Sequence, residues 1–189
     1  AGLVAYADDF VVCFQYKEDA EFFYGHLIKR MGHFGLEMEE SKSRLIKFGR
    51  YAQKDGQVAG HKAETFDFLG FTHYCSISRN GKFRVKRKTS RKKFRKKCKE
   101  IYTLLKEMRH WDVKLIVEKL NRMLVGYNHY YGITDNIRSL ERFRRRVERM
   151  LFYWLNRRSQ KSSYTWEGYR ELLKVFPITQ PRIYVSIYG

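Results

Sequence analysis

Hydrophobic and polar positions change rhythm along this 189-residue chain. Near the start, Leu3 and Val4, then Phe10, Val11 and Val12, form two β-rich runs of strand length. A short polar break containing Asp8 and Asp9 parts them, which predicts a strand-turn-strand hairpin. From 18 to about 34, Ala20, Phe23, Leu27 and Met31 recur at helical spacing, and Gly32 and Gly35 stand where the helix should stop. Residues 44–48 read as another strand, and the polar stretch 52–64, with Lys54-Asp55-Gly56 and Gly60-His61-Lys62, as a hairpin or loop. Strands over 65–71 and 72–78 should follow and turn at 79–82, where Asn80-Gly81 is a strong tight-turn signal.

In the second half the spacing becomes helical. Phe94, Cys98, Ile101, Leu105 and Met108 mark one apolar stripe, and Val113, Ile116, Val117, Leu120, Leu124, Tyr127 and Tyr131 a second. Leu140, Phe143, Val147, Met150, Leu151 and Trp154 mark a third, and a last helix is expected over 166–175 with Thr165 as its cap. Three amphipathic helices with short connections make a small bundle. The fold class is therefore α+β, a small antiparallel sheet with a helix followed by an α-helical bundle.

Charge sharpens this division. A hydrophobic content of 43% is ordinary and fits one or two domains, but a formal charge of +19 and a pI near 9.9 favour a polyanionic partner. Residues 1–80 carry 10 Lys and Arg against 11 Asp and Glu, whereas 81–189 carry 29 against 9. The first part is near neutral and the second is the electrostatic binder. Eleven of the sixteen residues over 84–99 are Lys or Arg, and this run continues directly into the first apolar stripe. It is therefore one side of a packed helix, not a disordered basic tail. Arg142, Arg144, Arg145, Arg146 and Arg149 similarly occupy the outer faces of the third helix. The apolar stripes themselves are core, whereas guanidinium rows suit phosphate oxygens. Farther on, Arg157, Arg158 and Lys161 lie among Tyr164, Trp166 and Tyr169, a mixture suited to single-stranded or irregular RNA. For Trp166, aromatic packing of the last helix is the better reading.

Cys13, Cys75 and Cys98 show neither an even count nor C-x-x-C spacing, which points to a reducing interior without a disulfide framework or zinc site. His73 and Cys75 alternate on one strand and read as core or surface residues, not metal ligands. No membrane span or signal peptide is evident, so a soluble cytoplasmic protein is expected. The chain starts at Ala1, almost inside a strand, and reads as a fragment of a longer protein.

The adjacent carboxylates of Asp8 and Asp9 at the tip of an apolar hairpin can hold Mg²⁺, a hard cation that prefers oxygen ligands. Asp-Asp is also an ordinary turn signal, and the isolated string divides evenly between the two readings. Longer motifs tip the balance. LVAYADDFVV at 3–12, FDFLGF at 66–71, GYNHYYG at 126–132 and WLNRRSQKSSYTWEGY at 154–169 occur in that order. Together they resemble the reverse transcriptase, or maturase, encoded by bacterial group II introns, over essentially the whole chain. The resemblance is to the class without a C-terminal endonuclease, since the sequence ends soon after Pro181-Arg182-Ile183-Tyr184 with no Cys/His cluster.

This resemblance implies the C-terminal part of a polymerase palm over 1–82, a three-helix thumb over 83–160 and a basic, aromatic extension over 161–189. It makes Asp8 a metal ligand, Asp9 a second and less direct one, and Tyr6 a packing or primer-proximal residue. An earlier palm strand would supply a further Asp, so the two-Mg²⁺ site would be incomplete in this chain, and the chain alone inactive. Lys42 is implied to stand near the incoming triphosphate, able to neutralise charge or protonate the leaving group. Glu39 stands where the family usually has Asn, and Ala5 where it commonly has Arg. Phe68, Leu69, Gly70 and Phe71 would be the primer grip, with Gly70 permitting close backbone approach. Arg87, Lys88, Arg91, Lys92, Arg95, Arg144, Arg145, Arg157, Arg158 and Lys161 would contact nucleic acid. Implied partners are group II intron RNA, an RNA template with a DNA primer, and a deoxynucleoside triphosphate, with no membrane; a homodimer is left open. The implied activity is RNA-directed DNA polymerisation, with the full-length protein also assisting splicing and retrohoming. Alternatives are an RNA-binding maturase that does not polymerise, a retron or diversity-generating reverse transcriptase, and a split enzyme completed in trans.

Overall fold

The computed structural model describes every residue except Glu40, Arg79, Lys161, Ser162, Tyr188 and Gly189. The strands are β1 (Gly2–Tyr6), β2 (Asp9–Cys13), β3 (Thr65–Phe68), β4 (Phe71–Ile77) and β5 (Phe83–Thr89). The helices are α1 (Lys17–His33), α2 (Arg50–Val58), α3 (Arg91–Glu107), α4 (Val113–Tyr131), α5 (Ile137–Leu155) and α6 (Trp166–Val175). This is the expected α+β class. Two compact units divide the chain: 1–68 with 74–85, and 69–73 with 86–189. The division falls within β4 and β5 of a three-stranded sheet ordered β3-β4-β5.

In the first unit, β1 and β2 pair antiparallel from Gly2 opposite Cys13 to Tyr6 opposite Asp9. Ala7, at φ 52°, takes the left-handed conformation at the reversal. Helix α1 lies within a residue of its expected bounds, with Ala20, Leu27 and Met31 half-buried, yet none of its residues is fully buried. Phe23 touches Phe14 at a ring separation of 5.3 Å.

The reading of 44–48 and 52–64 needs correction. Residues 44–48 form no strand; the Lys47 amide bonds the Glu64 carboxylate at 3.2 Å instead of a neighbouring backbone, and Phe48 packs on Phe66. The polar segment expected as a loop holds α2. Ala52 and Gly56, one turn apart, give it a narrow buried face, and a Cβ at Gly56 would meet the His61 carbonyl at 2.7 Å. Close backbone approach replaces the apolar stripe by which helices are usually recognised.

Two further corrections concern the sheet. The run 65–71 is broken at Leu69 and Gly70, whose φ values of 48° and 79° form a two-residue left-handed turn between β3 and β4. The basic run over 84–99 is not helical throughout. Its first part is β5, in which Phe83, Val85, Arg87 and Thr89 are more sheltered than Arg84 and Lys88. The period of two was hidden because cations occupy both faces. Ser90 then accepts from the Lys93 amide and opens α3. The expected turn after β4 is present, with Gly81 at φ 71° and Ser78 and Lys82 joined by a backbone bond of 2.8 Å; Arg79 lies outside the described residues.

The second unit holds the core. The apolar stripes of α3, α4 and α5 meet there, joined by Tyr169 of α6 and by Ile178. Each large side chain so enclosed contributes roughly 1.5–3 kcal/mol. Asp112 caps α4 through the Lys114 amide at 2.8 Å, and Thr165 caps α6 through the Gly168 amide at 3.2 Å. Asn136 is fully buried between α4 and α5. Its Oδ1 accepts from the Thr89 amide at 2.8 Å, and its Nδ2 donates to Thr89 Oγ1 and the Tyr131 carbonyl at 2.9 and 2.8 Å. One side chain thereby fixes the end of β5 to the α4–α5 junction. After α6 the chain returns across the bundle. Asn121 donates to the Pro177 carbonyl and accepts from the Thr179 amide, and Val185 bridges Ile133 in parallel.

Candidate nucleic-acid interface

Within the first unit the β1–β2 turn exposes Asp8 and Asp9. Lys42 lies within their electrostatic reach, although its main partner is Glu39. The Lys42 ammonium donates to Glu39 Oε2, while Ser41 donates to Oε1 at 2.7 Å. These bonds hold the Glu39 carboxyl below its usual range and the Lys42 ammonium above its own. Glu39 thus orients the lysine. Asp8 and Asp9 are the residues here that could hold a Mg²⁺ ion, a cation that keeps most of its coordination for water and phosphate. Among the described residues, no group of three His, Cys, Asp or Glu gathers at one place to hold a metal.

Within the second unit the Leu69–Gly70 turn is docked on α4. Tyr130 Oη donates to the Leu69 carbonyl at 2.9 Å, the Ser90 amide donates to the Gly70 carbonyl at 2.9 Å, and Phe71 stacks on Tyr130. A Cβ on Gly70 would stand 2.9 Å from Tyr131 Oη. The glycine serves both the left-handed turn and this close approach.

The cations of α3 leave its apolar stripe in two directions. Arg91, Lys92 and Arg95 are exposed on one side. Lys93, Lys96 and Lys97 take the other and line a groove of about 510 Å³ shared with Arg122, Gly126 and Tyr130 of α4. Positive charge in a concave, aromatic-walled surface suits a phosphodiester chain with unstacked bases. Residues 91–172 match the family of the group II intron, maturase-specific domain. The maturase-specific match begins at the first residue of α3 and ends inside α6, covering the bundle and the motifs at 126–132 and 154–169. No curated protein matches the chain.

The other candidates in the maturase-specific region are unequally available. Arg145 is exposed, but Arg144 pairs with Glu148 at 2.6 Å in a sheltered position. Burial raises the Glu148 carboxyl despite Arg144 and Arg145, and Tyr169 Oη donates to the Glu148 carbonyl at 2.8 Å. Arg144 therefore ties α5 internally. Arg157 lies over the Tyr153 ring at 4.0 Å, and Arg158 donates to the Trp111 carbonyl at 2.9 Å. Lys161 lies outside the described residues. Just upstream of the match, Lys88 is exposed on β5, whereas Arg87 is half-buried with its Nη1 enclosed and lacking a hydrogen-bond partner.

Sequence reasoning passed over Lys93, Lys96, Lys97 and Arg122. In a helix this rich in lysine, only the position of α4 tells which cations share a groove. A signal was nonetheless present in Gly126, a glycine interrupting a helical pattern. No described helix is long and apolar enough to cross a membrane.

Proposed function

We propose that the chain is the palm and thumb portion of a group II intron reverse transcriptase, whose helical bundle binds intron RNA and primer-template. The observation that carries this reading is the maturase-specific match on a bundle lined with cations. Lys42 within electrostatic reach of Asp8 and Asp9 supports the polymerase part, because triphosphate chemistry needs both cation-binding carboxylates and a positive group for the leaving phosphates. Asp8 and Asp9 would hold Mg²⁺, which when bound polarises phosphate oxygens and activates a hydroxyl. Lys42 would neutralise the triphosphate, Glu39 would keep the ammonium in place, and the Leu69–Gly70 turn would steady the primer end.

A second reading, an RNA-binding maturase module without polymerisation, is favoured by the family match, which lies on the helical bundle over 91–172. Titration with a group II intron transcript tests what the two share: both require binding that weakens steeply with salt. Absence of such binding would overturn both. Mg²⁺-dependent primer extension, with Asp8→Asn as control, excludes the second reading if it occurs and shows that the site is completed within this chain. Incorporation abolished by the substitution would establish catalysis by this chain, whereas binding without incorporation would leave it as the RNA-binding part.

A further inference from the structure

Gly126 is the least economical residue of α4. A glycine inside a helix costs roughly 0.5–1 kcal/mol relative to alanine. Glycine is elsewhere demanded by tight packing, as at Gly132 just past the end of α4, where a Cβ would meet the Arg182 carbonyl and the Tyr184 ring at 2.7 Å. At Gly126 a Cβ would meet nothing within 4 Å. Its φ is not in the left-handed range, so backbone conformation does not require glycine either. Gly126 opens instead on the α3–α4 groove, between Lys93, Lys96 and Arg122 and the ring of Tyr130.

Tyr130 is similarly arranged for something outside the protein. Its hydroxyl is anchored to the Leu69 carbonyl and its ring stacks on Phe71, yet the residue remains 54% exposed. A held, half-covered aromatic ring is a stacking platform with little entropy left to lose. Lys97 is partly committed to Glu100 at 2.9 Å, which leaves Lys93, Lys96 and Arg122 as the groove's principal phosphate ligands.

We propose that this groove is a subsite for an unpaired stretch of RNA. Its backbone passes Gly126 in close approach, its phosphates meet Lys93, Lys96 and Arg122, and one base stacks on Tyr130. The inference rests on the RNA-binding reading above and adds where a single strand, as distinct from a duplex, is held. A side chain at 126 would obstruct the strand without disturbing the fold, because the space is open.

The test uses the full chain, fluorescence anisotropy and two labelled probes: an oligouridylate of about 12 nucleotides and a blunt RNA duplex of similar length. Gly126→Leu is expected to melt no lower than the wild type. It should lose about tenfold or more in affinity for the oligouridylate and keep its duplex affinity within about twofold. Lys93→Gln with Lys96→Gln should lower the single-strand salt slope by about 1.4, or about 0.7 for each contact removed. Unchanged oligouridylate binding by Gly126→Leu, equal losses on both probes, or a markedly lower melting temperature would each overturn the proposal. A wild-type chain that binds neither probe nor an intron transcript would overturn the RNA-binding reading itself.

Discussion

The two units use the same apolar alphabet and bury it to opposite extents. In the second unit, the stripes of α3, α4 and α5 close around Leu120, Phe143, Val147 and Leu151, each almost wholly enclosed. In the first, Ala52 is the one buried hydrophobic residue among those described, and Leu3, Val4 and Tyr6 are each more than half exposed. The difference lies in geometry more than in composition. Three helices about equal in length can cover one another's stripes, whereas a two-stranded hairpin has two faces and is marginal without a covering layer. Folding stability should therefore reside in the bundle, and the carboxylate turn should stand on the less protected part of the chain.

The largest contrast should come from truncating one apolar residue in each unit. Phe143→Ala should cost about 3–5 kcal/mol in urea unfolding followed by helical circular dichroism, because Phe143 stacks on Tyr127 and edges Phe94 in the closed core. Leu3→Ala, on an exposed strand position, should change it by less than about 0.5 kcal/mol. Similar losses at the two sites would break the comparison.

Next in size is Asn136. Replacing it by Ala would strand the Thr89 amide and the Tyr131 carbonyl in the interior, at a cost of about 2–3 kcal/mol in the same assay. The effect should appear in the bundle transition, since Thr89, Tyr131 and Asn136 all belong to the second unit.

A smaller, pH-dependent effect should distinguish the bundle further. Burial holds the Tyr127 and Tyr169 phenols above the ordinary tyrosine range, with Arg144 opposing the shift at Tyr169. Above about pH 10 the unfolded chain releases protons that these native phenols retain, so stability falls as pH rises. Below that value both states are protonated and the two phenols contribute no slope. Melting from pH 9 to 11 should therefore show a decline that flattens in the Tyr127→Phe/Tyr169→Phe variant, by up to about 1.4 kcal/mol per phenol for each pH unit. An unchanged slope would place these hydroxyls in water.

The contrast also explains what could be read in the sequence. Helices α3, α4 and α5 were legible because their apolar residues recur at helical spacing and meet one another. Helix α6 has the expected span, and Thr165 caps it as expected. The β1–β2 turn was legible from its polar break. Helix α2 was not, since its buried face consists of Ala52 and Gly56 and depends on close backbone approach. Strand β5 was concealed by lysines and arginines that carry no period. At the candidate sites, residue type and the family resemblance singled out Asp8, Asp9 and Lys42 as candidates, but could not show that Arg144 is spent on Glu148 or that Lys93 faces α4 with Lys96. Partner assignments of long charged side chains depend on the packing of neighbouring elements.

The most direct measurement compares RNA binding after equal charge removal from the two units. A group II intron transcript would be titrated over a range of salt concentrations with the wild type, with Lys93→Gln/Lys96→Gln, and with Lys29→Gln/Arg30→Gln in α1. The account predicts a loss of about tenfold or more and a shallower salt slope for the bundle pair, and less than about twofold for the α1 pair. Equal losses from both pairs, or wild-type binding indifferent to salt, would contradict the assignment of RNA recognition to the bundle.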